Sequence, residues 1–286
     1  MRGSVFVLGT GRLGSALARS LSEAGWAVEA WSRSGRRVRI PGARQRRELP
    51  PAIRADLLVL TVPDRAISEV ARMLADTGRA GAGNVVAHCS GALGLEVLEP
   101  LRILGAEVGS LHPLAAVSRS DSDLRGSAAA LDGTPAAVRL LRRVARDSGL
   151  RPIAVAAEGR AAYHAAASLA ANGLVALADL AVDAFALAGV PRDEALQALV
   201  PLLDSAVRGL AARGLPGSLT GPVSRADSAV VEAHLRALAG TPAASAYRVL
   251  AVRAIELARA QGADEEGLER IESLLARPPR RRGRKI

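Results

Sequence analysis

At 286 residues, 49% hydrophobic and 23% charged, the chain has the composition of a soluble globular protein and the length for two domains with a sizeable core. Its net charge of +10 raises the question of nucleic acid, but lysine occurs once, at Lys285, and 2% aromatic content leaves little for base stacking. A single cysteine, Cys89, excludes an internal disulfide and fits a reducing cytoplasm, and four scattered histidines give no metal-ligand spacing.

No N-terminal signal pattern precedes the first strand. Val5 to Leu8 read as that strand and run directly into Gly9-Thr10-Gly11-Arg12-Leu13-Gly14, after which Leu13, Ala16, Leu17 and Leu21 recur at helical spacing. In this strand, turn and helix order Gly9 permits the tight turn, Gly11 lets backbone approach a pyrophosphate, and Gly14 lets helix and strand pack closely. The helix N-terminus offers unpaired N–H groups to phosphate. The alternative is a Gly-rich turn that holds nothing.

Trp26 to Trp31 form the second strand, and the two tryptophans are expected near an adenosine pocket. An NAD-specific fold places an acidic residue about 20 positions past the glycines. Here Ser32-Arg33-Ser34 stands in that place, with Arg36 and Arg37 beyond, in a run of seven arginines between Arg33 and Arg47. A hydroxyl and a guanidinium bind a 2′-phosphate that a carboxylate would repel, so the expected cofactor is NADP. Otherwise these arginines form only a solvated loop.

Asp56 to Thr61 read as a strand covered on both faces, with Thr61, Val62 and Pro63 at its ligand-binding end and Asp64 capping the next helix. Strands follow over Asn84 to Cys89, ending at Ser90-Gly91-Ala92, and over Ala106 to Leu111, ending at His112-Pro113-Leu114. Ser90 and Gly91 are expected nearer the nicotinamide, with His88 packed or hydrogen-bonded internally. His112 is either functional or a turn residue. A helix over 95–104, a strand around 128–131, a helix over 135–148 and a strand over 152–155 complete an alternating pattern. The fold class is α/β, a doubly wound, mainly parallel Rossmann sheet followed by a smaller all-α domain.

Strand patterns cease near Glu158, and Ala/Leu-rich helical stretches run over 158–188, 192–213, 223–239, 242–261 and 264–276. The expected domains are 1–156, 157–277 and a basic tail, 278–286, which reads as a disordered extension. The longest apolar run, Ala165 to Ala178, is interrupted by Ser168, Asn172 and Gly173 and reads as too short and too polar to span a bilayer. His164, Ser168 and Asn172 fall at i, i+4 and i+8 and form one polar stripe on a helix expected to be buried. Such a stripe lines a site or pairs with another helix. Thr220, in Leu219-Thr220-Gly221-Pro222, either faces the cleft or belongs to a turn in which Ser224 and Asp227 form a capping box.

Taken together, the glycine turn, Val62-Pro63-Asp64, His88-Cys89-Ser90-Gly91-Ala92, Ser110-Leu111-His112-Pro113-Leu114, the Tyr163-His164 to Asn172 helix and Leu219-Thr220-Gly221-Pro222 resemble a group of bacterial proteins. These pair a Rossmann-like domain with an uncharacterised helical C-terminal domain and are relatives of pyrroline-5-carboxylate reductase and ketopantoate reductase. The resemblance covers nearly the whole chain apart from the tail. It implies an NADP-dependent reductase or dehydrogenase, a homodimer through the helical domain, and a small-molecule substrate between the domains, with ketopantoate a named candidate. One position departs: the ketopantoate and hydroxyacid reductases carry a catalytic Lys four residues before an Asn on this helix. Asn172 matches the Asn, but Ser168 holds the Lys position.

The expected chemistry is hydride transfer between NADPH and a small carbonyl or imine. Asn172 and Ser168 are expected to hydrogen-bond the reacting group, with Thr220 nearby and His112 or His164 giving the proton, since an unperturbed imidazole holds both forms near neutrality. Two other readings stand beside this: a catalytically silent NADP-binding regulator, since the lysine is missing, and a nucleic-acid binder acting through its arginines and tail. No membrane partner is expected.

Overall fold

The computed structural model describes residues 2–35, 40–120 and 122–277. Arg36, Arg37 and the basic tail from Pro278 lie outside the described residues. The chain divides into two compact units, Met1–Leu169 and Ala170–Ile286. This division falls thirteen residues past the expected boundary, because the first turns of the helix Arg160–Ala186 are anchored on the sheet through Arg160.

The first unit is built on one eight-stranded sheet. Its strands are β1 (Ser4–Leu8), β2 (Ala27–Trp31), β3 (Arg44–Gln45), β4 (Leu57–Leu60), β5 (Val85–His88), β6 (Glu107–Leu114), β7 (Ala128–Gly133) and β8 (Arg151–Ala154). They are ordered β3-β2-β1-β4-β5-β6-β7-β8, and every pairing is parallel except β6 with β7. The period-two alternation of β1 and β4 shows why the sheet is doubly wound. Val5, Val7, Leu57 and Val59 point to one face, where α1 (Arg12–Glu23) and α4 (Pro135–Asp147) bring Leu17, Leu21, Leu141 and Val144. Phe6, Leu8, Leu58 and Leu60 point to the other, where α2 (Asp64–Asp76) and α3 (Glu99–Ile103) bring Ile67, Leu74 and Leu101.

Two local expectations are corrected. His112 is not a turn residue, because β6 continues to Leu114 by pairing antiparallel with β7, where His112 stands opposite Ala130 and Pro113 opposite Ala129. Pro113 is tolerated there because β5 has already ended at His88, so no parallel neighbour needs its missing N–H. Asp64 does not cap α2: it is the helix's first residue, and its carboxylate instead accepts the Ser90 hydroxyl at 2.7 Å.

The second unit is helical. α5 (Arg160–Ala186) continues into it from the first, followed by α6 (Arg192–Arg213), α7 (Ser228–Ala237), α8 (Pro242–Ala260) and α9 (Glu265–Ala276). Val231, Leu235, Ile255, Leu268 and Ile271 form its main core. The expected capping box dissolves: Asp227 is itself the N-cap of α7, accepting Val230 N–H, and Ser224 donates to the Gly221 carbonyl. α7 therefore begins five residues later than expected, after a 3₁₀ turn over Val223–Arg225 and a left-handed Ala226.

α5 is not the buried helix its composition led one to expect. Arg160 and Val182 are its only buried residues, while Leu169 and Val175 are 78% and 71% exposed. By length and composition alone, Ala157–Ala186 and Arg192–Arg213 are each long and apolar enough to cross a bilayer, which the run 165–178 did not show. The longer window absorbs Ser168, Asn172 and Gly173 because so many alanines and leucines flank them.

Candidate functional site

A cleft of about 480 Å³ opens at the carboxyl ends of β1, β2 and β4. Its lining includes Gly9, Thr10, Gly11, Ser32, Arg33, Ser34, Thr61, Val62 and Pro63, so most residues expected to hold a cofactor are brought together. Gly9 has φ +116, donates its N–H to the Trp31 carbonyl at 2.8 Å, and accepts the Thr61 hydroxyl at 2.6 Å. That pins the glycine turn between its two neighbouring strands. At Gly14 an added Cβ would stand 1.9 Å from the Gly9 carbonyl oxygen, so glycine is what allows α1 to start so close to the sheet. Gly11, by contrast, has nothing within 4 Å of that position, and as the N-cap of α1 it offers no side chain to the first turn. The open approach and the unpaired amides fit a pyrophosphate.

Arg12, Leu13 and Gly14 do not line the cleft. Arg12 is exposed, with its guanidinium 3.4 Å from the Ser118 carbonyl, and Leu13 packs against the core. At the far end, Trp31 forms one wall, and Ala66, Glu69, Val70 and Met73 of α2 form the other. These four recur at i, i+3, i+4 and i+7, the sequence spacing that marks one helix face. Ser32 and Ser34 share a hydroxyl hydrogen bond at 3.1 Å, and Arg33 lies 3.8 Å from Glu69 in an exposed pair. Trp26 is elsewhere. It precedes β2, donates Nε1–H to Asp147 at 3.0 Å and carries Arg143 over its ring, so Trp31 alone of the two tryptophans lines the cleft.

The cleft adjoins a polar cluster through Pro63 and Asp64. Ser90 is buried, and its hydroxyl is fully engaged: it donates to Asp64 and accepts the N–H groups of Ala92 and Leu93. His88 is also internal, with Nδ1 accepting Ser90 N–H and Nε2 donating to the Gly94 carbonyl. Burial lowers its pKa. The neighbouring Cys89 thiol is pushed up to about 12 by burial and is inert.

Gly91 then carries the chain beneath two imidazoles. A Cβ there would lie 2.7 Å from His112 Cε1, 2.8 Å from His112 Nε2 and 2.7 Å from His164 Nδ1. His112 Nδ1 is 2.8 Å from the Tyr163 hydroxyl, and the His112 and His164 rings meet edge to face at 5.9 Å. Burial, and then the neighbouring imidazole of His164, hold His112 down to about 4, so it is neutral at pH 7. Arg160, one turn before Tyr163 and His164 on α5, is buried and donates to Asp132 at 2.7 Å and Ser110 at 3.1 Å. Tyr163 and Arg160 were missed as site residues, although Tyr163 sits beside His164 in the sequence.

Ser168 and Asn172 stand one and two turns beyond His164 on α5, with Ser168 half-buried and Asn172 exposed. Thr220 is exposed in the second unit, where it borders an apolar groove with Leu177, Leu250 and Tyr247. His234 of that groove pairs with the Tyr247 hydroxyl at 3.0 Å. No group of three metal-ligating side chains occurs among the described residues.

Residues 1–113 match the Rossmann-like domain family, and residues 127–254 match a domain of unknown function, DUF2520. Comparison with curated protein sequences gives no match. Among solved structures, the chain is similar to a Thermotoga maritima protein at 24% identity and a TM-score of 0.70, covering 90% of this chain and 99% of that one. A Bacteroides fragilis protein described provisionally as an NADP oxidoreductase aligns at 22% identity, TM-score 0.66, covering 89% and 98%. The Plasmodium falciparum pyrroline carboxylate reductase, solved with NADP bound, aligns at 12% identity, TM-score 0.60, covering 94% and 98%. The chain is thus one of the proteins that join a Rossmann-like domain to a DUF2520 domain, the group its motifs resemble.

Proposed function

We propose that this protein is an NADP-dependent reductase of a small carbonyl or imine compound. The observation that carries this reading is the continuity of cleft and cluster along one sheet edge. Ser32 and Arg33 follow β2, the glycine turn follows β1, Pro63 follows β4, Gly91 follows β5, and His112 lies on β6. At about 4.8 Å per strand, the span from β2 to β5 is about 14 Å, the scale of an extended dinucleotide. When bound, NADPH supplies the hydride. Arg33 and Ser32 give a 2′-phosphate a guanidinium and a hydroxyl where an NAD site would place a carboxylate. Loose pairing with Glu69 leaves Arg33 available for this, because exposed ion pairs at such distances are weak.

Gly91, His112, Tyr163 and His164 would receive the reacting bond, and the proton comes from this cluster. The substrate is a small oxo acid such as ketopantoate or a cyclic imine such as pyrroline-5-carboxylate. The protein works as a cytoplasmic homodimer through its helical unit, on a small molecule rather than on nucleic acid or at a membrane. Support for the dimer is the run of exposed large apolar side chains on α5 and α6, among them Leu169, Val175, Leu202 and Val207.

The test is a fluorescence titration of the full chain with NADPH and NADH, reading quenching of Trp31 over the constant signal of Trp26. NADPH should bind more tightly than NADH. Arg33→Ala should weaken NADPH by about 10- to 100-fold, the worth of charge-assisted hydrogen bonds to phosphate, and leave NADH nearly unchanged. If neither nucleotide binds, the reductase reading is wrong.

A further inference from the structure

Reduction of a C=O or C=N bond needs a proton as well as a hydride, and resting on the reductase reading, the geometry of one side-chain pair points to its source. We propose that Tyr163 is the catalytic acid and that the neutral imidazole of His112, donating Nδ1–H to the phenol oxygen, is its positioning partner.

Tyr163 and His112 lie 51 residues apart in sequence, yet their hydrogen bond is 2.8 Å long and their rings meet edge to face at 5.6 Å and 89°. His112 has little freedom to turn away. Its Nδ1 edge faces the phenol, and its Cε1–Nε2 edge lies over Gly91, where even a methyl group would collide. Of the groups around it, His164, Arg160 and His88 oppose its protonation and the Asp64 carboxylate favours it, while burial opposes it most. A neutral imidazole carries one N–H. With that hydrogen on Nδ1, the Tyr163 oxygen accepts it, and the phenol O–H is left free to aim at a substrate atom. With the hydrogen on Nε2, the phenol would spend its only proton on the ring.

The surroundings suit an acid that must be loaded and then stabilised after discharge. Burial raises the pKa of Tyr163, which keeps it protonated throughout the neutral range, while the positive charge of Arg160 acts in the other direction, favouring the phenolate. Arg160 is held by Asp132 and Ser110, so the first turn of α5 is fixed to β6 and β7, and Tyr163 is fixed with it. With the hydride supplied by bound NADPH, the substrate carbon would gain a C–H bond as its C=O or C=N π bond opens, and Tyr163 would give its O–H proton to the substrate oxygen or nitrogen. The phenolate is held by His112 Nδ1–H until water reprotonates it. No proton is drawn from His112.

Two measurements on the full-length protein test this. First, NADPH oxidation is followed with a panel of small 2-oxo acids and cyclic imines for the wild type, Tyr163→Phe, His112→Asn and His112→Ala. Tyr163→Phe should lower kcat by roughly 10²–10⁴ and leave the NADPH Kd unchanged. His112→Asn, whose amide N–H can stand where Nδ1–H stood, should retain much more activity than His112→Ala. Second, ¹⁵N NMR of the NADPH-bound protein should show His112 as the Nδ1–H tautomer, a readout that requires no substrate. Undiminished kcat in Tyr163→Phe, or an Nε2–H tautomer at His112, overturns the assignment even where NADPH binds tightly. Failure of the wild type to bind NADPH would instead remove the reductase reading on which it rests.

Discussion

Gly11 and Gly14 sit three residues apart in one turn and answer to different constraints. Gly14 meets backbone: a Cβ 1.9 Å from the Gly9 carbonyl oxygen can be accommodated only by moving α1 off the sheet. Gly14→Ala should therefore destabilise the protein by about 1–3 kcal/mol, the range for forcing atoms into a packed core, measured by urea unfolding without any ligand. Gly11 meets nothing, and its φ of −69 is one that alanine adopts freely. Gly11→Ala should leave the urea midpoint unchanged but weaken NADPH by about tenfold or more, since the new methyl occupies the path by which phosphate reaches the α1 amides. If both variants lost stability equally, Gly11 would be a structural glycine and the phosphate role assigned to it would be wrong.

At the scale of elements, legibility in the sequence followed locality. The turn after β1 was readable because strand, glycines and helix are consecutive, and β4 because its residues are apolar on both faces. β3 was not anticipated, since Arg44–Gln45 has neither apolar alternation nor length, and it is held at the sheet edge by only two paired positions. The Tyr163–His112 pair was hidden for the opposite reason: each residue was visible, but their meeting depends on Arg160 docking α5 onto β6 and β7. The environment of α5 was misjudged because periodicity reports which residues are apolar and not what covers them. Leu169, Val175, Leu202 and Val207 are all more than half exposed in the isolated chain. That exposure sets up a test of the proposed dimer. Val175→Asp and Leu202→Asp replace residues that pack against little in this chain, so each should fold normally. A carboxylate buried in an interface, with the loss of about 1.5–3 kcal/mol of apolar burial, should then convert dimer to monomer by light scattering. A monomeric wild type would end the proposal.

For the molecule as a whole, acid stability separates the interior histidines from the surface charge. Asp123, Glu99 and Glu265 are each held below the usual carboxylate range by an arginine hydrogen bond, so their contribution is lost as pH falls from that ordinary range through the lower folded values. His112 acts in a higher window. Its pKa falls from 6.5 to about 4 on folding, so between those values the unfolded chain binds a proton that the folded protein refuses. Stability therefore rises with pH across that window and is complete above it; it declines as pH drops from 6.5 towards 4. His88, lowered by burial, adds to the same slope. Allowing for the partial exposure of His112, its share is about 2 kcal/mol between pH 7 and pH 4.5. Urea midpoints of the wild type should fall across this range. His112→Asn, which cannot take up a proton, should show a shallower decline, with His88 accounting for what remains. Parallel declines in the two proteins would mean that His112 is open enough to protonate in place, and a ring that accepts protons freely from solvent could not keep a fixed tautomer against Tyr163.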